Sequence, residues 1–207
     1  MIYFYISRIR VVSKEKQIAI LDTIKKMDNF FKKFDTSYFT TGGSLIGAIR
    51  NKPSGMLYWD DDFDVGVFDS DLSKIKMMLQ DVEFKTNFEV KEKTFGYQLK
   101  NKIMLFDEES NDGYIYDIFI YTIKDDVYRP IQDFQNEYII DKSEVYPIKT
   151  VDFWNTKIQI PNESVKLLKR WYGDDVFDYV KKWSSAFISF GSRKITDADR
   201  VPLHLYK

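Results

Sequence analysis

Asp62-Phe63-Asp64-Val65-Gly66-Val67-Phe68 alternates acidic or small residues with large apolar ones. A period of two is the signature of a β-strand. Phe63, Val65 and Val67 therefore share one face, and Asp62, Asp64 and Gly66 share the other. Asp60 has the same parity if the strand reaches back that far. Aspartate is a poor strand former, so an apolar strand that carries two of them sets local propensity aside, as expected where a site is being built. Two carboxylates two residues apart on one face can hold a divalent cation between them. An all-oxygen ligand set selects a hard one, Mg²⁺ or Mn²⁺. The competing reading is a solvated acidic strand edge or turn.

The residues just upstream sharpen that choice. Ser37 to Thr41 reads as a short strand of aromatic and β-branched residues. Gly42 and Gly43 punctuate it, and Ser44 is a good N-cap for a short helix from Leu45 to Arg50. A glycine turn running into a helix N-terminus presents free backbone N–H groups and the positive end of the helix dipole, which suits a phosphate. Gly-Gly-Ser alone describes an ordinary strand–turn–helix equally well. Joined to the acidic strand, it points to chemistry on a nucleotide phosphate.

Gly43-Ser44-Leu45-Ile46-Gly47-Ala48-Ile49-Arg50, followed by Trp59-Asp60-Asp61-Asp62-Phe63-Asp64-Val65, resembles the signature of the LicD/fukutin family. Tyr58 stands where that family usually has proline, and the connecting loop, Asn51 to Tyr58, is longer than usual. The resemblance covers the stretch from Ser37 to Asp175, with looser matches at Val151-Asp152-Phe153-Trp154, Ile160-Pro161 and Tyr172-Gly173-Asp174-Asp175. It implies an α/β (α+β) fold of the nucleotidyltransferase type: a small mixed β-sheet flanked by helices. It also implies a phosphotransferase that moves a phospho-alcohol, such as phosphocholine or ribitol phosphate, from a CDP-activated donor to a hydroxyl of a glycan or glycolipid acceptor, releasing CMP.

Further along, Tyr114-Ile115-Tyr116-Asp117-Ile118-Phe119-Ile120-Tyr121 is almost wholly apolar or aromatic, so both of its faces are expected to be covered. One aspartate interrupts it. A buried carboxylate without a partner is expensive, so Asp117 needs a metal, a cation or hydrogen-bond donors. A lysine or a backbone group would meet that need as well. The family resemblance selects the metal, because its superfamily places a third carboxylate on a neighbouring strand. On that basis Asp62, Asp64 and Asp117 are the metal ligands and catalytic residues, with Asp117 also the general base on the acceptor hydroxyl. Gly42, Gly43, Ser44, Trp59 and Asp60 are assigned to the donor's surroundings, Asp60 behind the metal ligands, and Arg50 and Lys52 supply positive charge.

Two other readings stay open. A true nucleotidyltransferase would use the same carboxylates to direct attack on the α-phosphorus of a nucleoside triphosphate and expel pyrophosphate. A non-catalytic nucleotide- or glycan-binding module would keep the fold alone.

Composition narrows the field. A length of 207 residues fits a single domain, 1–207, with a sizeable core. A net charge of −1 lacks the basic surplus of a nucleic-acid binder, so no such partner is expected. The absence of cysteine excludes disulfides, thiol nucleophiles and cysteine zinc sites. The single histidine, His204, is expected to be an exposed bystander, and with it the usual histidine triads are largely excluded. The abundant aromatics are read as core packing in preference to a choline cage. Met1 to Ser7 is a poor signal peptide, and no stretch approaches the roughly 20 apolar residues of a membrane helix. A cytoplasmic location is therefore expected.

The remaining elements are an amphipathic helix from Ser13 to Phe34, with Ile18, Leu21, Ile24, Met27 and Phe31 inward, and a helix over Asp71 to Leu79 with Leu72, Ile75 and Leu79 inward. Strands follow at Phe84–Val90, Thr94–Leu99 and Ile103–Phe106. A polar loop at Asp107–Gly113 separates these from the Tyr114 strand. After that come a hairpin over Tyr146–Ile160, a helix from Pro161 to Trp171 stopped by Gly173, and a partly helical tail from Val176.

Overall fold

The computed structural model describes residues 12–51, 54–57, 59–94, 96–103, 113–124, 127–130, 139–183 and 189–194. The first helix, α1 (Lys14–Lys33), starts where Ser13 accepts a hydrogen bond from the Lys16 amide at 3.2 Å. Its buried arc contains Ile20, Ile24, Met27 and Phe31. Leu21 is buried as the apolar stripe predicts, but Ile18 is 40 % exposed. Two residues are about 200° apart on a helix, so Ile18 lies opposite Ile20 and outside that arc.

A short strand β1 (Phe39–Thr40) leads into α2 (Gly42–Arg50), and β2 (Phe63–Phe68) follows the connecting loop. After a 3-10 turn at Asp69–Asp71 comes α3 (Leu72–Gln80), which buries Ile75, Met78 and Leu79. Phe84 does not start a strand. It belongs to a short helix, α4 (Val82–Asn87), whose N-terminus is capped by Asp81 accepting from the Phe84 amide at 3.1 Å. Phe84 and Phe88 lie four residues apart and pack with their ring centroids 5.1 Å from each other, with Phe30 of α1 at 5.1 Å from Phe84. That aromatic cluster suits helical spacing, and the predicted Phe84–Val90 strand is displaced along the chain to β3 (Phe88–Lys93).

Strands β4 (Gly96–Asn101), β5 (Tyr114–Lys124) and β6 (Val127–Pro130) complete the main sheet. Ile103 lies outside any strand and is exposed; the rest of the predicted Ile103–Phe106 strand, and the loop after it up to residue 112, lie outside the described residues. The sheet order is β1-β2-β5-β4-β3, with β6 on β5. Among the described residues of this sheet, β2 and β5 alone pair in parallel; the other neighbours are antiparallel. The result is a mixed sheet flanked by helices. Phe63, Val65 and Val67 are fully buried on one face of β2, and Leu99, Tyr116 and Ile118 join the same core.

A second, two-stranded sheet is the hairpin β7 (Lys149–Phe153) and β8 (Thr156–Ile160). It docks on β1 through Thr40 Oγ1, which donates to the Gln159 carbonyl at 2.8 Å. Its tip ties down the loop between α2 and β2, because the Trp154 amide donates to the Ser54 carbonyl at 2.9 Å. Buried Asn51 secures the same loop, its Nδ2 donating to the Gly55 and Met56 carbonyls at 3.1 and 2.8 Å. A short helix, α5 (Lys142–Val145), precedes the hairpin, and α6 (Ser164–Tyr172) follows it, ending at Gly173 with φ +93°. The tail is not helical where it is described. Strands β9 (Tyr179–Trp183) and β10 (Ser189–Lys194) pair antiparallel, a non-local partnership that local sequence pattern does not reveal. Met1 to Ser7 and His204 lie outside the described residues. Among the described residues, no helix is long and apolar enough to cross a membrane.

Glu144 holds α5 to α6. Its carboxylate accepts from Arg170 Nη1 and Nη2 at 2.8 and 2.7 Å and from the Asp141 amide at 3.0 Å, with Lys166 Nζ at 2.9 Å. Burial alone would raise its pKa, but these donors outweigh burial and hold it down to about 2. A carboxylate so depressed contributes stability that is present above its ordinary range and is lost as pH falls towards 2. Glu144→Gln is expected to lower the unfolding free energy at pH 7 by about 2 kcal/mol. It should also flatten the decline of stability between pH 4.5 and 2. Urea unfolding of both proteins at pH 7, 4.5 and 3 checks this.

Candidate active site

The parallel ladder between β2 and β5 places Asp64 directly beside Asp117. Asp62, just before β2, has the parity of Asp64. Each of the three offers a carboxylate oxygen, and the three oxygens lie within 4.8 Å of one another. Asp117 is 6 % exposed. Its Oδ2 accepts from Gln98 Nε2 at 3.0 Å, while its Oδ1 is buried with no hydrogen-bond partner.

Concentrating negative charge in a partly desolvated place shifts every member of the group. Burial, then the charges of Asp117 and Asp61, push Asp62 up to about 7. Burial pushes Asp117 up to about 6, against the opposing hydrogen bond from Gln98 and the charge of Lys93. Asp64 is driven well above the carboxylate range by burial and by Asp62, Asp117 and Asp60. The residues fit a divalent cation: three oxygen donors face one another, and one buried oxygen lacks a hydrogen-bond donor. Such a donor set belongs to a hard cation.

The glycine turn fits against this cluster. Gly42 has φ +59°, a left-handed conformation that favours glycine, and a Cβ there would collide with the Asp64 carboxylate. A Cβ on Gly43 would collide with Asp60. Ser44 is not the helix cap. The helix begins three residues earlier than expected, at Gly42, with Thr41 as N-cap and the Leu45 amide donating to the Thr41 carbonyl at 3.0 Å. The fully buried Ser44 accepts from the Asp64 amide through its Oγ at 3.0 Å and so fastens α2 to the acidic strand. N–H groups in the first turn of a helix have no acceptor within the helix, and here that turn is Gly42-Gly43-Ser44.

Asp60 stands apart from the three clustered carboxylates. It is half-buried with its carboxylate against Gly43, its buried Oδ2 lacks a hydrogen-bond partner, and desolvation raises its pKa while nearby Arg50 opposes the rise. The Arg50 guanidinium lies 5.7 Å from the Trp59 ring centroid, and its Nη1 donates to the Val176 carbonyl at 3.4 Å. Arg50, Trp59 and Asp60 thus form one group beside the glycine turn. Lys52 and Tyr58 lie outside the described residues. Two neighbours of the cluster escape the sequence pattern. Lys16 of α1 pairs with Asp61 at 3.0 Å, and Gln98 of β4 holds Asp117. No local motif signals either one, since both arrive through long-range packing.

A family model for the LicD/FKTN/FKRP nucleotidyltransferase domain matches residues 35–163, a span that includes the glycine turn and all three clustered carboxylates. An uncharacterised protein of Rickettsia typhi is 27 % identical over 164 residues, covering 78 % of this chain and 48 % of its own length. An uncharacterised protein of Rickettsia prowazekii is 24 % identical over 163 residues, covering 78 % of this chain and 56 % of its own length. The lipopolysaccharide cholinephosphotransferase LicD of Haemophilus influenzae is 27 % identical over 99 residues, covering 47 % of this chain and 37 % of its own length. The chain thus spans about half the length of the rickettsial relatives.

Raised carboxylate pKa values carry a sign for stability. Between the ordinary carboxylate value and the raised one, the folded state binds more protons than the unfolded state, so stability falls as pH rises. For Asp62 that window runs from about 4 to about 7. In chelator-treated protein at pH 8, Asp62→Asn is expected to raise the unfolding free energy by on the order of 2 kcal/mol. The gain should vanish at pH 4. Thermal melts of both proteins at the two pH values read it directly.

Proposed function

The chain belongs to the LicD/FKTN/FKRP nucleotidyltransferase-domain family, and on that premise we propose that it transfers a phospho-alcohol from a CDP-activated donor to a hydroxyl of a glycan or glycolipid, releasing CMP. The observation that carries this reading is the convergence of Asp62, Asp64 and Asp117, with a buried Asp117 oxygen that lacks a hydrogen-bond donor. The name of the Haemophilus relative supports a phosphoryl-group transferase and, among alcohols, phosphocholine.

In this reading Asp62, Asp64 and Asp117 hold Mg²⁺ or Mn²⁺. The cation's contribution is to neutralise charge on the donor's phosphates as the transferred group moves. The backbone N–H groups of Gly42, Gly43 and Ser44 receive a donor phosphate at the positive end of α2. Arg50 adds positive charge to that side, with Trp59 and Asp60 shaping the donor's surroundings; Lys52, two residues on in the sequence, is assigned the same role as Arg50. Asp117 is assigned to accept the proton of the attacking hydroxyl. The hydroxyl oxygen then bonds to the distal phosphorus as the bond to the CMP oxygen breaks, and CMP leaves with that electron pair.

The printed description of the family, a nucleotidyltransferase domain, keeps a second reading in view. The same carboxylates would serve attack on the α-phosphorus of a nucleoside triphosphate with loss of pyrophosphate.

Calorimetric titration with CDP, CTP and CDP-choline, with and without Mg²⁺, separates the two. CDP-choline binding that requires Mg²⁺ and disappears in Asp64→Ala is the expected result. CMP release with a glycan acceptor should then fall in that variant by about three orders of magnitude. Preference for CTP would favour the nucleotidyltransferase, and no Mg²⁺-dependent nucleotide binding would leave only a binding module.

A further inference from the structure

Gln98 stands directly opposite Asp117 across the β4–β5 ladder, and Asp117 stands directly beside Asp64 across the β5–β2 ladder. Directly paired residues share a face of the sheet, so Gln98, Asp117 and Asp64 form one row across three strands. The Gln98 amide donates to Asp117 Oδ2. An ionised carboxylate has no proton to give, so the nitrogen of the amide is the atom that faces it. The bond occupies one oxygen of a nearly buried carboxylate and leaves the other, Oδ1, without a hydrogen-bond partner.

We infer that Gln98 is a positioning residue of the cation site: by anchoring Asp117 Oδ2 it sets the rotation of that carboxylate and reserves Oδ1 for the cluster with Asp62 and Asp64. The inference rests on the cation-dependent function proposed above. The residue type suits the task. A lysine or arginine at 98 would neutralise Asp117 and compete with a cation. A glutamate would add a further negative charge to a group that already repels itself. An apolar residue would leave Oδ2 without a donor in a buried place, at a substantial desolvation penalty. A neutral amide favours the ionised carboxylate while leaving the cluster's charge in place.

The backbone holds Gln98 in position from both sides. Two residues before it, Gly96 has φ +146°, and a Cβ there would run into the Ile118 carbonyl, so glycine is what lets β4 close on β5. Beyond Leu99 the register shifts, and Lys100 pairs with Tyr114 instead of Ile115. Gln98 therefore sits inside the short stretch where β4 lies in strict register with Asp117. Hydrogen-bond partners of metal-ligating side chains orient those ligands, and their loss typically weakens metal affinity by about 10- to 100-fold.

The test measures Mn²⁺ affinity of the full chain by electron paramagnetic resonance, alongside thermal melts. It compares wild type, Gln98→Leu, Gln98→Asn, Asp117→Ala and the Gln98→Leu/Asp117→Ala double variant. Gln98→Leu is expected to weaken Mn²⁺ binding by roughly 10-fold or more. In the Asp117→Ala background it should add nothing further, because its effect passes through Asp117. Gln98→Asn keeps an amide but is one methylene short of its partner. It should weaken binding in the same way and serves if the leucine variant does not fold. Wild-type Mn²⁺ affinity in folded Gln98→Leu or Gln98→Asn would overturn the positioning role and leave the cation site standing. So would an equal loss with and without Asp117, the mark of a merely structural residue. Failure of the wild type itself to bind Mn²⁺ would instead overturn the cation reading, and this inference with it.

Discussion

The parallel, in-register pairing of β2 with β5 is the constraint on which the acidic site depends. The other neighbouring strands of the main sheet run antiparallel. Parallel strands need a long crossover, and here α3, α4, β3 and β4 intervene between β2 and β5. Sliding β5 by one residue would turn Asp117 to the opposite face, into the core that holds Tyr116 and Ile118. The same slip would bring those apolar side chains out. Hydrophobic burial on one face therefore fixes the register that brings carboxylates together on the other.

That arrangement works against the repulsion of the groups it assembles. Asp62, Asp64 and Asp117 all rise in pKa, chiefly through burial; the charges of neighbouring carboxylates add to the rise, Asp117 acting on Asp62 and Asp64, and Asp61 on Asp117. The fold answers with neutral and backbone devices more than with direct ion pairs. Gln98 donates to Asp117, Ser44 Oγ takes the Asp64 amide, and two glycines let the turn of α2 approach Asp64 and Asp60 without a clash. The lysines stand further back, Lys16 on Asp61 and Lys93 near Asp117. Charge is thus left available at the centre of the site, where an uncompensated carboxylate oxygen remains. A stability-optimised core would not retain such a group; a site that receives a cation has reason to.

Much of this was legible in the chain. Period-two alternation marks β2 and places Asp62 and Asp64 on one face. The single aspartate in an otherwise apolar run singles out Asp117. Ser13 caps α1, and Gly173 ends α6, as their positions suggest. The misreadings share a cause. Phe84 looks like the start of a strand until it is seen to pack on Phe88, four residues on, and on Phe30 of α1, and Ile18 looks like core until the neighbours of α1 define the buried arc. Ser44 resembles a cap until the helix is seen to start at Gly42 and the Ser44 Oγ to accept from the distant Asp64 amide. The strands of the tail form through each other, so neither announces itself alone.

By itself the sequence determined which chemistry is on hand: oxygen ligands without thiols, a glycine turn ahead of a helix, and two carboxylates of one parity. Those properties are local, set by residue type and by the period of a strand. Only the tertiary structure decided that Asp117 lies beside Asp64, that Gln98 holds it, and that Asp60 faces Gly43 and stays outside the three. Each of those is a meeting of residues far apart in the chain or separated by a turn. Register and packing of the whole sheet, which no local pattern encodes, decide where such residues meet.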